Sequence, residues 1–273
     1  MRLATFNTAD GTAAGICAGE TWRRLPFSSV SELLMARDIR SAGLEAEAGE
    51  ELDGSQLAVL LPSPRKVICA GINYGDHIAE TGREWPAHPT LFAKFADTLT
   101  APCAELSLPP GVDIDWEAEL AVVVGKRLRG ADRDQALAGI AGYTVANDIS
   151  IRDWQYRSIQ WLQGKAWDAT TPVGPCLVTP DEFDPEAGAR ISCKVNGRQV
   201  QCDDTKTLVF SCAQLVSYIS TFTALSPGDL ILTGTPGGVG NARKPSVFLS
   251  GGDVVETEVE GIGTLRNRIV ISD

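Results

Sequence analysis

The chain has 273 residues, is 44% hydrophobic and carries a formal net charge of -11. That length and apolar content are enough for one large or two unequal domains with a sizeable core. The acidic balance argues against nucleic acid and anionic membranes as partners, and an anionic substrate would need a local reversal of sign.

The N-terminus, Met1 to Asn7, lacks the apolar core of a signal peptide, and no apolar run is long enough to span a membrane; the expected location is the cytoplasm. Leu3 to Phe6 and Gly15 to Ala18 predict the short strands of a hairpin about Asp10-Gly11. Ser29 to Ile39 predicts a helix, with Ser31 as its cap and Leu33, Leu34 and Ala36 on the apolar side. Gly43 to Gly54 is acidic and weakly patterned, and Pro62-Ser63-Pro64 marks a boundary. Residues 1–62 are therefore expected to form a small N-terminal α+β module and residues 63–273 the main domain. Val67 to Gly71 is a continuous apolar run, consistent with a buried strand, and beyond it Pro and Gly punctuate many short apolar segments. Asp115 to Val124 predicts a strand, and Ile140 to Asn147 is a second apolar run. Asn196-Gly197 is a hairpin signal. Leu208 to Phe222 predicts the clearest helix, with Leu208, Cys212, Leu215, Ile219 and Phe222 at helical spacing. Ser226 to Asp229 predicts a turn before the strand Leu230 to Leu232, and Val254 to Val259 and Gly263 to Ile271 alternate like strands. The sum is a β-rich α+β fold, a roll or sandwich with few helices.

Seven cysteines, an odd number with no Cys-x-x-Cys and no zinc-like spacing, fit a reducing compartment; most lie in apolar runs, and Cys202 in a polar one is expected at the surface. Gly237-Gly238-Val239-Gly240 lacks both the lysine of a phosphate loop and the Rossmann spacing, so no nucleotide is implied.

Chemistry concentrates in a few residues. Glu117 and Glu119 are two apart on the predicted strand and share a face. Two buried carboxylates repel unless neutralised, and a hard divalent cation such as Mg²⁺ does this with oxygen ligands. Asp148, at the end of the next apolar run, offers a third oxygen; the alternative is a strand whose glutamates face solvent. His77 and Glu80 are three apart, on one face if the segment is helical, which suits a carboxylate-oriented base or an ordinary ion pair. His88 is the other histidine of the chain and sits in a Pro-flanked loop.

These pieces stand in one order: Gly71-Ile72-Asn73-Tyr74-Gly75-Asp76-His77, Glu117-Ala118-Glu119, Asn147-Asp148 with Arg152-Asp153, Gly164-Lys165-Ala166-Trp167-Asp168, and Thr233-Gly234-Thr235-Pro236-Gly237-Gly238. That order and spacing, over about residues 65–270, resembles the fumarylacetoacetate hydrolase family. The resemblance implies a mixed β-sandwich roll, usually paired as a homodimer, with Glu117, Glu119 and Asp148 holding Mg²⁺ (sometimes Mn²⁺ or Ca²⁺). It implies catalytic roles for His77, Glu80 and Lys165, the first two on a short helix that orders when ligand binds. Tyr74, Lys94, Arg152, Gln155 and Thr235 match substrate-contacting positions. Lys94 departs from the pattern in being followed by Phe95 rather than proline. Left to their residue types, Lys94 could snorkel to solvent and Lys165 could form a salt bridge to Asp168 or Asp148.

The implied substrates are small 2-oxo or 1,3-diketo acids. The expected reaction is hydrolysis of a C–C bond in acylpyruvates with release of pyruvate. Oxaloacetate decarboxylation and 2-hydroxyhepta-2,4-diene-1,7-dioate isomerisation are alternatives on the same site, because all three pass through a related enolate. A non-catalytic, metal-stabilised binding protein is the alternative of another class; it predicts a lost dyad or ligand, and all are present.

Overall fold

Val, Ile, Leu and Ala alternate through the central strands so that one set of side chains faces each side of a large mixed sheet. The computed structural model describes residues 1–39, 48–82 and 84–272. Across the large sheet the strands run in the order Glu51–Leu52, Thr21–Arg24, Gly11–Ala18, Arg2–Thr8, Thr171–Val178, Ile140–Asn147, Ala118–Val124, Leu230–Leu232, Val67–Gly71 and Thr90–Lys94. Every residue of Ala118–Val124 and Ile140–Asn147 is buried, as a strand covered on both faces requires. Leu120, Val122 and Val124 join one core cluster; Ala121 and Val123 join the other.

The first cluster fills the space against a second sheet, ordered Arg198–Asp204, Arg190–Val195, Val254–Val259, Gly263–Ile271 and Glu105–Leu108, which contributes Ile191, Val255 and Leu265. The second lies under the N-terminal helix, through Leu33 and Leu34. Arg2–Thr8 pairs antiparallel with Thr171–Val178, Leu3 opposite Leu177, so the N-terminal hairpin extends the large sheet. Most pairings are antiparallel; Leu230–Leu232 runs parallel to Val67–Gly71 and brings the loops after both strands to one end of the sheet.

The β-rich α+β reading holds. The Asn196-Gly197 turn has φ of 51° and 78°, the conformation a two-residue hairpin loop needs. The boundaries of Val254–Val259 and Gly263–Ile271 are as expected. Three details differ. The first helix is Val30–Ala36, capped by Ser29, whose side chain accepts from Glu32 N, rather than by Ser31; Ala36 is exposed in its last turn. The long helix is Cys212–Phe222, starting after Leu208, because Ser211 and Gln214 form a reciprocal capping box there. The run Asp115 to Val124 is broken: Ile114–Asp115 pairs with Ser150–Ile151, and the sheet strand starts at Ala118.

Candidate active site

That break is where the site forms. At the start of the strand, side chains take over the backbone's hydrogen bonds: Glu117 N donates to Asn147 Oδ1 (3.0 Å) and Ala118 N to Gln201 Oε1 (2.9 Å). Asp148 N donates to the Glu117 carbonyl (2.9 Å), which draws the two strand ends together. Ligand oxygens of Glu117, Glu119 and Asp148 then lie within 4.8 Å of one another, and all three residues are buried. Glu119 also accepts from Gly234 N (2.6 Å), in the loop after Leu230–Leu232.

Two lysines answer this charge. Lys165 Nζ donates to Glu117 Oε2 (2.6 Å) and Asp148 Oδ2 (2.8 Å), and Lys94 Nζ donates to Asp148 Oδ1. Burial works against the Lys165 ammonium, but Asp148 and Glu117 outweigh it and hold its pKa above the usual range. Burial likewise opposes ionisation of Glu117, but Lys165 and Arg152 pull it down to about 2. Glu119 lacks such a partner: burial, Asp148 and Glu117 push its carboxyl well above the ordinary carboxylate range. Three buried carboxylates of which one is uncompensated are an oxygen-donor set that fits a divalent cation.

His77 lies on the helix Gly75–Thr81. Its Nδ1 is 2.7 Å from Glu80 Oε1, and Glu80 Oε2 accepts from Gly238 N (2.9 Å), so Glu80 both orients the ring and latches the helix onto the Thr235–Gly238 turn. The backbone leading into the helix is strained. Ile72, a β-branched residue, has φ 58°. Asn73 fixes that conformation: Nδ2 donates to Thr233 O (2.8 Å) and Phe210 O (3.0 Å), and Oδ1 accepts from Phe210 N (2.8 Å).

Arg152 is held by Nε and Nη1, while its buried Nη2 lies near carboxylates without a hydrogen bond of its own. Its Nε donates to Asp115 Oδ2 (2.8 Å), Nη1 to Gln155 Oε1 (2.8 Å), and Nη2 lies 2.7 Å from Glu117 Oε1. Asp115, completely buried, also accepts from Gly240 N (2.7 Å) and Asn241 N (3.0 Å), tying the loop beyond the glycine-rich turn to Arg152. Gln201, from the second sheet, donates to Thr235 Oγ1 (2.8 Å) and Pro236 O (2.8 Å). Since Thr235 Oγ1 accepts there, its own proton is left to donate.

A cleft opens onto His77, Glu117, Glu119, Arg152, Lys165 and Thr235. Gln155 lines it as well; Tyr74, Glu80, Lys94 and Asp148 do not. Tyr74 is in the core, its hydroxyl without a partner, and Lys94 sits behind the cleft against Asp148. Sequence reading assigned no role to Asp115, Asn73 or Gln201. Asp115 carried a signal, standing two residues before Glu117 in the same alternation. Gln201 carried none: its strand is polar and half-exposed, and only the packing of the second sheet buries it.

The fumarylacetoacetate (FAA) hydrolase C-terminal family matches residues 66–270, and the chain belongs to that family. It is 45% identical over 220 residues to the mitochondrial oxaloacetate tautomerase Fahd2a of Rattus norvegicus, covering 79% of this chain and 70% of that one. It is 39% identical over 248 residues to the 2,4-didehydro-3-deoxy-L-rhamnonate hydrolase of Sphingomonas sp. (strain SKA58), covering 90% and 86%. Among solved structures, fumarylacetoacetate hydrolase from psychrophilic Exiguobacterium antarcticum superposes with a TM-score of 0.88 at 31% identity over 100% of both chains. Fumarylpyruvate hydrolase from Pseudomonas aeruginosa, in complex with Mn²⁺ and pyruvate, gives 0.69 at 34% identity over 77% of this chain and 91% of that one. These are enzymes of small keto acids. Among the described residues, no helix is long and apolar enough to cross a membrane.

Proposed function

We propose that this chain is a Mg²⁺-dependent hydrolase of acylpyruvate-type 2,4-dioxo acids that releases pyruvate. The observation that carries this reading is the formed His77–Glu80 dyad, whose His77 opens onto the same cleft as Glu117 and Glu119. Hydrolysis needs a base for water.

Glu117, Glu119 and Asp148 would hold the cation, Mg²⁺ in our reading with Mn²⁺ or Ca²⁺ as substitutes; bound there, it supplies Lewis-acid polarisation of the substrate's oxygens. Thr235 donates its free hydroxyl proton to the substrate carboxylate, and Gln155, whose Oε1 is held by Arg152, offers its amide N–H groups. Glu80 holds His77 Nδ1, leaving Nε2 to take a proton from water. That water attacks the C4 carbonyl, the C3–C4 bond breaks, and the electron pair passes to the pyruvate half as its enolate. The Lys165 ammonium balances the enolate charge. The proton returns from His77 to C3, giving pyruvate and a carboxylic acid. The 2,4-didehydro-3-deoxy acid in the Sphingomonas relative's name is itself a 2,4-dioxo acid, which supports this substrate class.

The 45% identity to an oxaloacetate tautomerase favours a second reading, in which the same His77 shuttles a proton between C3 and an enol oxygen, without cleavage. Decarboxylation and dienedioate isomerisation need the same groups. A screen of acylpyruvates and oxaloacetate with Mg²⁺, following pyruvate release and enol absorbance separately, decides between them. Pyruvate from an acylpyruvate supports hydrolysis; enol–keto interconversion with no pyruvate from any acylpyruvate defeats it. The protein is read as a homodimer of the reducing cytoplasm, in keeping with its free thiols and with the exposed Tyr156, Ile159 and Leu162 beside the site.

A further inference from the structure

We infer that the outer half of the cleft selects a neutral acyl tail, a short alkyl or hydroxyalkyl group, and rejects a second carboxylate. This rests on the reading above that the 2-oxo acid end sits at the buried carboxylates.

The charges of the cleft lie at one end, around the buried carboxylates where the 2-oxo acid end sits. Lys165 is divided between Glu117 and Asp148. Arg152 is ion-paired with Asp115 and Glu117 and donates to Gln155, so its charge stays at the carboxylate end of the cleft. The rest of the wall is neutral: Ile72, Phe92, Trp161, Tyr156, Asn241 and Ala242. Among the described residues, no further cation lines it. Lys244 lies two residues beyond Ala242 outside the lining, and Arg157 stacks on Trp154, 3.6 Å from the ring centroid.

The wall is also built in place. Trp161 packs edge-on to Phe92, ring centroids 5.4 Å apart. It covers Gly71 so closely that an added Cβ would stand 2.6 Å from its ring. Ile72 is held by the strained backbone that Asn73 fixes. Asn241 Nδ2 donates to the Tyr156 hydroxyl (3.2 Å), which leaves one phenolic proton and one amide oxygen, a donor and an acceptor suited to a hydroxyl on the tail. A carboxylate there would lose water against aromatic and aliphatic surface with no cation to meet it. The net charge of -11 acts in the same direction.

The test uses pairs that differ only by a methyl in place of the terminal carboxylate. With Mg²⁺ present, kcat/KM for 2,4-dioxoheptanoate is expected to exceed that for 2,4-dioxoheptanedioate by about tenfold or more, the scale set by desolvating an unpaired charge. Calorimetric binding of 2-oxopentanoate and 2-oxoglutarate, which the proposed reaction does not cleave, reads the tail preference without turnover and should favour the neutral acid. Tighter binding of 2-oxopentanoate with no cleavage of either dioxo acid would sink the hydrolase reading and keep this inference. Cleavage of both dioxo acids with equal or better use of the dianion would overturn the inference alone. Ala242→Lys adds a cation at the wall and should narrow the ratio; an unchanged ratio in the folded variant would overturn the assignment to this wall. Arg83 lies outside the described residues, so the pairs are repeated with Arg83→Ala, where the same neutral preference is expected. A preference that appears only after its removal would also overturn the inference.

Discussion

Glu119 is the carboxylate left without a counter-cation, since Lys94 and Lys165 attend to Asp148 and Glu117. Glu119→Gln should therefore raise the melting temperature of chelated protein by roughly 2–4 °C, the equivalent of about 1 kcal/mol for a chain of this size. The same change should abolish the rise that Mg²⁺ gives the parent protein. Thermal scans with chelator and with Mg²⁺ read both; a chelated variant less stable than the parent would show that Glu119 is compensated in some other way. The thiols make a separate test. Burial raises Cys176 to about 11 and Cys212 to about 12, whereas Cys103 and Cys202 are exposed. A thiol reagent at neutral pH should modify Cys103 and Cys202 first and leave Cys69, Cys176, Cys193 and Cys212 until unfolding. Mass mapping of the modified residues checks this, and early labelling of Cys212 would contradict the packing. At this scale the sequence was most informative where residue type is costly. Buried acidic pairs and a His–Glu spacing of three stand out against apolar runs, but the burial of Tyr74 in the core and of Lys94 against Asp148 depends on tertiary packing.

Two elements give the site its shape. The helix Gly75–Thr81 is joined to the glycine-rich turn through the two oxygens of Glu80. Glu80→Ala removes both contacts. Hydrogen exchange should quicken in that helix while the central strands keep their protection, and kcat/KM should fall by roughly 10²-fold through loss of an oriented base. Unchanged turnover would mean that the latch is ornamental. The short helix Leu162–Lys165 packs on the helix Arg152–Gln155 at Gly164, where an added Cβ would stand 2.4 Å from Gln155 Cβ and 2.5 Å from the Ile151 carbonyl. Gly164→Ala should displace both Gln155 and Lys165, lowering stability by about 1–3 kcal/mol and weakening substrate binding. A melting curve and a KM measurement test it together. Strands and hairpins were legible because alternation and Asn-Gly turns are local signals. The strand break at 116–117 was not, since it comes from Asn147 and Gln201 capturing backbone N–H groups from elsewhere in the chain.

At the scale of the whole molecule, two sheets bury a shared core and the loops at one end of the large sheet meet at the carboxylates. The β-rich architecture was readable from many short strands; the continuation of the large sheet through the N-terminal hairpin was not, because edge pairing such as Leu3 opposite Leu177 leaves no mark in sequence. A homodimer should appear in light scattering at twice 29.1 kDa and persist at micromolar concentration despite the net charge of -11. A 29.1 kDa particle at every dilution, with full activity, would make the monomer sufficient. In the proposed reaction the buried carboxylates and the His77–Glu80 dyad together hydrolyse a C–C bond. Pyruvate release from 2,4-dioxoheptanoate, measured on chelated enzyme, after Mg²⁺ is restored, and in a His77→Ala variant that still binds oxalate, tests it most directly. No pyruvate is expected from the chelated enzyme, recovery is expected with Mg²⁺, and none is expected from His77→Ala. Full-rate release from chelated enzyme or from His77→Ala would contradict it.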